Sequence, residues 1–127
     1  MTEDKLKQWD DYMLAVLNCA EVGDKVRFNE ERQGYTIQAK GERFIVCTKP
    51  FNLRKTVLYT IIDMKDRIRG PENLVFCAGA GTRELCNEML ARLEGRDIEL
   101  GWTSEISHRN RIRLEIDDVL PARPVHL

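Results

Sequence analysis

Histidine is nearly absent from this chain: His108 and His126 are the only two among 127 residues. Most of the molecule therefore lacks the side chain best suited to proton shuttling near neutral pH and most often used as a metal ligand. The four cysteines, Cys19, Cys47, Cys77 and Cys86, lie 28, 30 and 9 positions apart, with no C-x-x-C pair. Each falls inside an apolar pattern, so they are expected to be reduced core residues, and a structural zinc site is not expected. Neither G-x-S-x-G nor H-E-x-x-H occurs, and no internal repeat or low-complexity run is present. No segment approaches the roughly 18 apolar residues of a membrane-spanning helix. Glu3 and Asp4 stand where a secretory leader would carry positive charge, so no signal peptide is expected and the protein is read as cytoplasmic. A net charge of −1 and a pI near 6.1 exclude a general DNA binder, whose affinity would rest on neutralising many phosphates.

The chain does hold enough apolar residues for one ordinary core: 43 % are hydrophobic and 32 % charged. The pattern predicts a single α+β domain over 1–120 and a flexible tail over 121–127, where Pro121 and Pro124 interrupt any periodicity. Leu6, Trp9, Met13, Val16, Leu17 and Ala20 recur at three- and four-residue steps, which predicts a helix over 2–20 with Gly23 ending it. The helix can cover the domain's own sheet or a second subunit. Lys25-Val26-Arg27-Phe28, Tyr35 to Lys40 and Arg43 to Thr48 alternate and form an antiparallel meander. Thr56 to Ile62 is β-forming throughout, as a strand covered on both faces would be. Met64 to Pro71 reads as a polar, basic connection closed by Gly70-Pro71, leading into a strand at Leu74-Val75-Phe76-Cys77. After the Gly79-Ala80-Gly81 turn, Leu85, Cys86, Met89, Leu90 and Leu93 define one face of a helix opening at Thr82. Ile98, Leu100 and Trp102, then Ile112, Leu114 and Ile116, alternate as two further strands.

Arginine makes up most of the 20 positive residues, and its planar fork grips phosphate or carboxylate through two parallel bonds. Arg109, Arg111 and Arg113 would share one face of an extended strand, either as a solvated face paired with carboxylates or as a phosphate clamp with Asn110. Arg67, Arg69, Asn73 and Phe76 offer charge, an amide and a ring, the parts needed to hold a nucleotide, although ordinary surface arginines fit as well. Lys49, Phe51, Asn52 and Arg54 form a similar loop. The helix start at Thr82 can attract an anion or be only a tight turn. Asp63, Asp66 and His108 are the few candidates for a base or metal ligand; the expectation is no metal, no cofactor and no catalytic residue.

The phrases FIVCTKPFNLRKTVLYTIIDMKDRIRGPENLVF and EISHRNRIRLEI, with the glycine-rich turn and the helix at Thr82 between them, resemble the phage anti-Thoeris sponge family of the Thoeris anti-defence protein 1 type. The resemblance spans nearly the whole chain. It implies an N-terminal helix plus an antiparallel β-sheet wrapped around a central α-helix, a homodimer with two recessed pockets, and, in some relatives, hexamers. It also implies sequestration, without cleavage, of a cyclic ADP-ribose isomer or related cyclic nucleotide in the infected bacterial cytoplasm. By type and place it assigns Arg109, Asn110 and Arg111 to the diphosphate, and Arg67, Arg69, Asn73 or Phe76 to ribose or base. Lys25 and Arg27 are weaker additions. Ala78 and Ala80 leave no ring for base stacking at the glycine-rich turn, which bears on ligand preference. The alternatives are a phosphodiesterase or glycohydrolase acting on the same signal, and a protein-binding inhibitor that docks through the N-terminal helix.

Overall fold

A computed structural model describes residues 3–29, 31–51, 56–76, 82–95 and 112–125. In chain order these form α1 (Glu3–Cys19), β1 (Lys25–Phe28), β2 (Tyr35–Lys40), β3 (Phe44–Phe51), β4 (Thr56–Asp63), β5 (Ile68–Phe76), α2 (Thr82–Glu94), β6 (Ile112–Arg113) and β7 (Ile116–Leu120). The protein is α+β, with an N-terminal helix, a curled antiparallel sheet and a second helix. The expected strand at Ile98, Leu100 and Trp102 lies outside the described residues.

Strand order is β6-β5-β4-β3-β2-β1-β7, and every neighbouring pair is antiparallel. The two ends of that order are consecutive in the chain, separated only by Leu114 and Glu115. Leu114 N–H donates to Arg67 O at 2.9 Å, and Asn29 N–H donates to Glu115 O at 3.0 Å. One bent segment thus pairs with β5 at its start and with β1 at its end, so the sheet curls back on itself.

The inside of the ring is apolar. Val26, Phe28, Tyr35, Ile37, Ile45, Cys47, Ile62, Leu114, Ile116 and Val119 meet Met13 and Leu17 of α1, and Ala20 just beyond its end, in one buried cluster. Asp10, Met13 and Leu17 are the buried residues of α1, at the three- and four-residue steps of one helical face, and α1 closes an opening of the ring. Truncating Leu17, which has no solvent exposure, to alanine should lower the unfolding free energy by about 3 kcal/mol, readable by urea denaturation.

The opposite face carries Ala39, Phe44, Val46 and Ile61, which pack with Cys86 and Leu93 of α2. β4 is therefore covered on both sides, Ile62 facing inward and Ile61 facing α2, as its unbroken apolar run predicts. A bulge in β2 makes both clusters possible. The register with β3 shifts between Ile37 and Ala39, so Gln38 and Ala39 fall on one face and Lys40 returns to the α1 side. Lys40 Nζ then donates to Asn18 O at 2.9 Å and Ala20 O at 2.6 Å. α1 has no basic residue in its last turn, and Lys40 supplies from β2 the cation that its terminal carbonyls lack.

One sequence expectation is corrected by β5. Gly70-Pro71 reads as a stop, yet the strand begins at Ile68 and runs through it to Phe76. Proline survives because the β4–β5 register is irregular between Tyr59 and Ile61, opposite Pro71 and Glu72, where a missing N–H removes no ladder bond. Thr60 Oγ1 donates to Gly70 O across the same irregularity at 2.5 Å.

The segment after β7 is held at Arg123. Arg123 grips Asp24 through both carboxylate oxygens, at 2.7 and 2.9 Å, and lies 3.0 Å from Glu21. The proline-rich composition that reads as a flexible tail hides this long-range pair. The Arg123 hydrogen bond holds the Asp24 carboxyl below its ordinary value against the opposing effect of burial. Its contribution is present above the unfolded carboxylate pKa of about 3.9 and fades as pH falls through the depressed folded value. The stability gap between wild type and Arg123→Ala should therefore be flat above about pH 5 and shrink below about pH 4, measured by urea titration at each pH.

Candidate functional site

On the α2 side of the sheet, β2 and β3 present a polar strip. Thr36 and Thr48 are partners in register, and Gln38 Nε2 donates to Thr48 Oγ1 at 3.0 Å. Those three side chains, with Pro50, Val57, Thr82 and Arg83, line a cavity of about 460 Å3. Its far wall is the start of α2, whose first-turn N–H groups have no intrahelical acceptor and carry the positive end of the helix dipole. Arg83 adds a full positive charge in that first turn, a position where the dipole disfavours cations, beside the acidic Glu84. It is exposed, and among the described residues no carboxylate pairs with it.

Lys25 lies near this cavity on the neighbouring strand. It faces Thr36 in the β1–β2 register, so its side chain lies on the same face as the cavity, a neighbouring position across the strands. A Cβ added at Gly34 would lie 3.5 Å from Lys25 Cβ and 3.3 Å from Arg27 Cγ, which places both side chains over the start of β2. Lys25 likewise has no carboxylate partner among the described residues. Arg27 has one: Nε and Nη2 donate to Asp118 at 2.8 and 2.7 Å. The cavity thus combines Arg83, which has no carboxylate partner among the described residues, with three threonines, an amide and a helix start, and Lys25 stands beside Thr36 on the neighbouring strand; this is a chemistry for oxyanions with hydroxyl-bearing substituents.

The remaining sequence candidates divide. Arg67 occupies the β4–β5 turn with φ 57°, and its Nη2 lies 3.6 Å from Asp11 of α1. It ties α1 to that turn, while Arg113, which donates to Asp10 at 2.7 Å, ties α1 to β6. Arg69 points into the ring, 8 % exposed. Asn73 and Phe76 belong to β5, but their side chains fall outside the description, and so do Arg109, Asn110, Arg111 and His108. Lys25 therefore stands beside Thr36 of the cavity that Arg83 lines, whereas Arg67 and Arg69 serve other contacts.

The chain shows no significant match to any family model, curated protein or solved structure.

Local chemistry constrains what the described residues can do. Burial pushes the Cys86 thiol up to about 11 and Cys47 further still, so neither supplies a thiolate at neutral pH. Asp63 has its carboxylate wholly buried, accepting from Arg43 Nε and Nη2 at 2.9 and 2.8 Å and from the Lys65 and Asp66 N–H groups at 3.0 and 3.3 Å. It organises the β4–β5 turn. Among the described residues no group of three His, Cys, Asp or Glu could hold a metal ion.

Sequence reasoning missed Thr36, Gln38, Thr48 and Arg83. Two signals were legible: polar residues at alternate positions on the strand face that must meet a helix, and an arginine in a helix's first turn, where a carboxylate is preferred.

Proposed function

We propose that this protein binds a cyclic ADP-ribose isomer and holds it intact, and so starves the bacterial immune receptor that the molecule activates, as a phage-encoded inhibitor of Thoeris defence in the host cytoplasm. The observation that carries this reading is the cavity at the start of α2, with Arg83 in its lining, Lys25 beside Thr36 on the next strand, and no carboxylate paired to either among the described residues. A diphosphate fits the cations and the helix start, while ribose hydroxyls and a base edge suit Thr36, Gln38 and Thr48. The volume of about 460 Å3 lies within the roughly 300–1,000 Å3 of small-molecule sites. Support also comes from the likeness of the chain's two long phrases to the anti-Thoeris sponges.

Sequestration needs affinity alone. Nanomolar binding corresponds to about −12 kcal/mol, which several charge-assisted hydrogen bonds in a preformed cavity can supply. No general acid or base enters the account. The protein, incubated in excess with the cyclic ADP-ribose isomer, should deplete free ligand from the filtrate, and heat denaturation should return it with unchanged retention on chromatography. Recovery of a converted product would favour the hydrolase reading, and a filtrate that keeps its ligand would end the proposal.

A second reading rests on α1. Leu6, Trp9 and Tyr12 are 38, 44 and 45 % exposed, and the Trp9 and Tyr12 rings stack at 6.0 Å. Such a face suits a second copy of this chain, as in the proposed homodimer or larger homo-oligomer, or a host protein. If host-protein docking is the activity, Trp9→Ala abolishes inhibition and Arg83→Ala leaves it intact; sequestration in the α2 cavity predicts that Arg83→Ala abolishes it.

A further inference from the structure

A second cavity, of about 130 Å3, lies between α1, β7 and the segment after β7, and it shares no lining residue with the cavity at α2. Trp9, Tyr12 and Val16 line it from α1 at three- and four-residue steps, on one face of the helix. The Trp9 and Tyr12 rings stack at 6.0 Å with 30° between their planes. Val119 of β7 and Val125 beyond it add apolar wall. Arg123 holds the segment after β7 by gripping Asp24 at 2.7 and 2.9 Å, so that side of the cavity is anchored without a ligand. The size suits a single ring, since an apolar cavity of roughly 150 Å3 holds benzene.

The lining also carries charge, and one of its charges is unmatched. Its one cation, Arg123, is given to Asp24 and lies 3.0 Å from Glu21. Asp118 accepts from Arg27 Nε and Nη2 at 2.8 and 2.7 Å. Asp117 is exposed and lines both this cavity and a neighbouring one of about 220 Å3, and it makes no hydrogen bond or ion pair among the described residues. Arg113, which lines the neighbouring cavity, is given to Asp10 at 2.7 Å and stands 3.8 Å from Glu115. A carboxylate without a counter-charge, beside two stacked aromatic rings, is a setting for a cation: ring faces and carboxylate attract it together. An anion would be repelled by the same carboxylate, and a neutral apolar ligand would leave it unused.

We propose that the cavity between α1 and β7 is a binding site for a small organic cation, an ammonium carried on a single ring or a short alkyl body, with the body against Trp9, Tyr12 and Val119 and the ammonium toward Asp117. Charge complementarity and volume select this occupant together. The site is separate from the α2 cavity and stands whether or not that cavity holds a nucleotide.

The test uses the full chain with phenethylammonium as the probe and phenethyl alcohol as its neutral counterpart of similar shape. The Trp9 indole N–H resonance should shift saturably as the cation is added. Wild type should bind the cation about tenfold more tightly than the alcohol, a difference of roughly 1.4 kcal/mol, and added salt should shrink that preference. Asp117→Asn keeps the shape, removes the charge and takes no recorded ion pair from the fold; in it the two probes should bind alike, with affinity for the alcohol unchanged. Equal affinity of wild type for both probes overturns the proposal, as does a preference that survives in Asp117→Asn or a Trp9 resonance that stays still. The wild-type comparison involves no variant, so it decides alone should Asp117→Asn not fold.

Discussion

Replacing Asp63 with alanine should lower the unfolding free energy by about 3 kcal/mol, the low end of the loss expected when one partner of a buried ion pair is removed. Its carboxylate has no exposure, whereas the Arg43 side chain facing it is 29 % exposed, so part of the freed charge is taken up by water. Four donors converge on Asp63: two from Arg43 and the backbone N–H groups of Lys65 and Asp66. Alanine leaves all four without that acceptor and loosens the turn that launches β5. Arg43 also lies over the Phe44 ring at 4.8 Å, and Glu94 of α2 accepts from both the Arg43 and Phe44 N–H groups at 2.9 Å. The disturbance therefore spreads to the contact between α2 and the sheet. Differential scanning calorimetry should record a midpoint roughly 10 °C lower. A change under about 1 kcal/mol would show that water replaces the carboxylate and that the turn is held by strand pairing alone.

Converting both Lys25 and Arg83 to alanine should weaken nucleotide binding about a hundredfold, or roughly 2.7 kcal/mol, with the folded state unaffected. Both side chains are exposed and without a carboxylate partner among the described residues, so neither contributes an ion pair that folding would miss. In a complex each would face a phosphate, and bonds to charged groups contribute about 1.5–3 kcal/mol apiece, reduced here by solvent screening. Wild-type affinity should fall as salt rises, and the double variant should show a shallower dependence. Unchanged affinity with an unchanged salt slope would place the ligand elsewhere on the molecule.

Much of the fold was legible in the residue pattern, and the missed parts share a physical cause. Periodicity carries α1, α2, the β1–β3 meander and the doubly covered β4, because each depends on neighbours in sequence. Passage of β5 through Gly70-Pro71 depends on an irregular register with β4, which no local propensity reports. Ring closure depends on Leu114 and Glu115 meeting Arg67 and Asn29, a long-range pairing with no short signature. Charge proved hardest to read. Arginine clusters at 67–69 and 109–113 suggest a ligand by composition, yet Arg67 and Arg113 meet aspartates of α1 and Arg69 meets Glu31. Whether an arginine is committed to its own fold is decided by carboxylates that lie distant in sequence. Lys25 was named as a site candidate on position alone; Arg83 was hidden inside a helical pattern and is exposed by its place in the first turn.

Mapping amide and side-chain resonances during titration with a cyclic ADP-ribose isomer tests the central claim most directly. Saturable shifts should fall on Thr82, Arg83 and Glu84 at the start of α2 and on Thr36, Gln38 and Thr48 across the cavity, with Leu17 and the rest of the α1 core unmoved. A spectrum that stays still at saturating ligand, or moves only around Trp9 and Tyr12, would contradict the account.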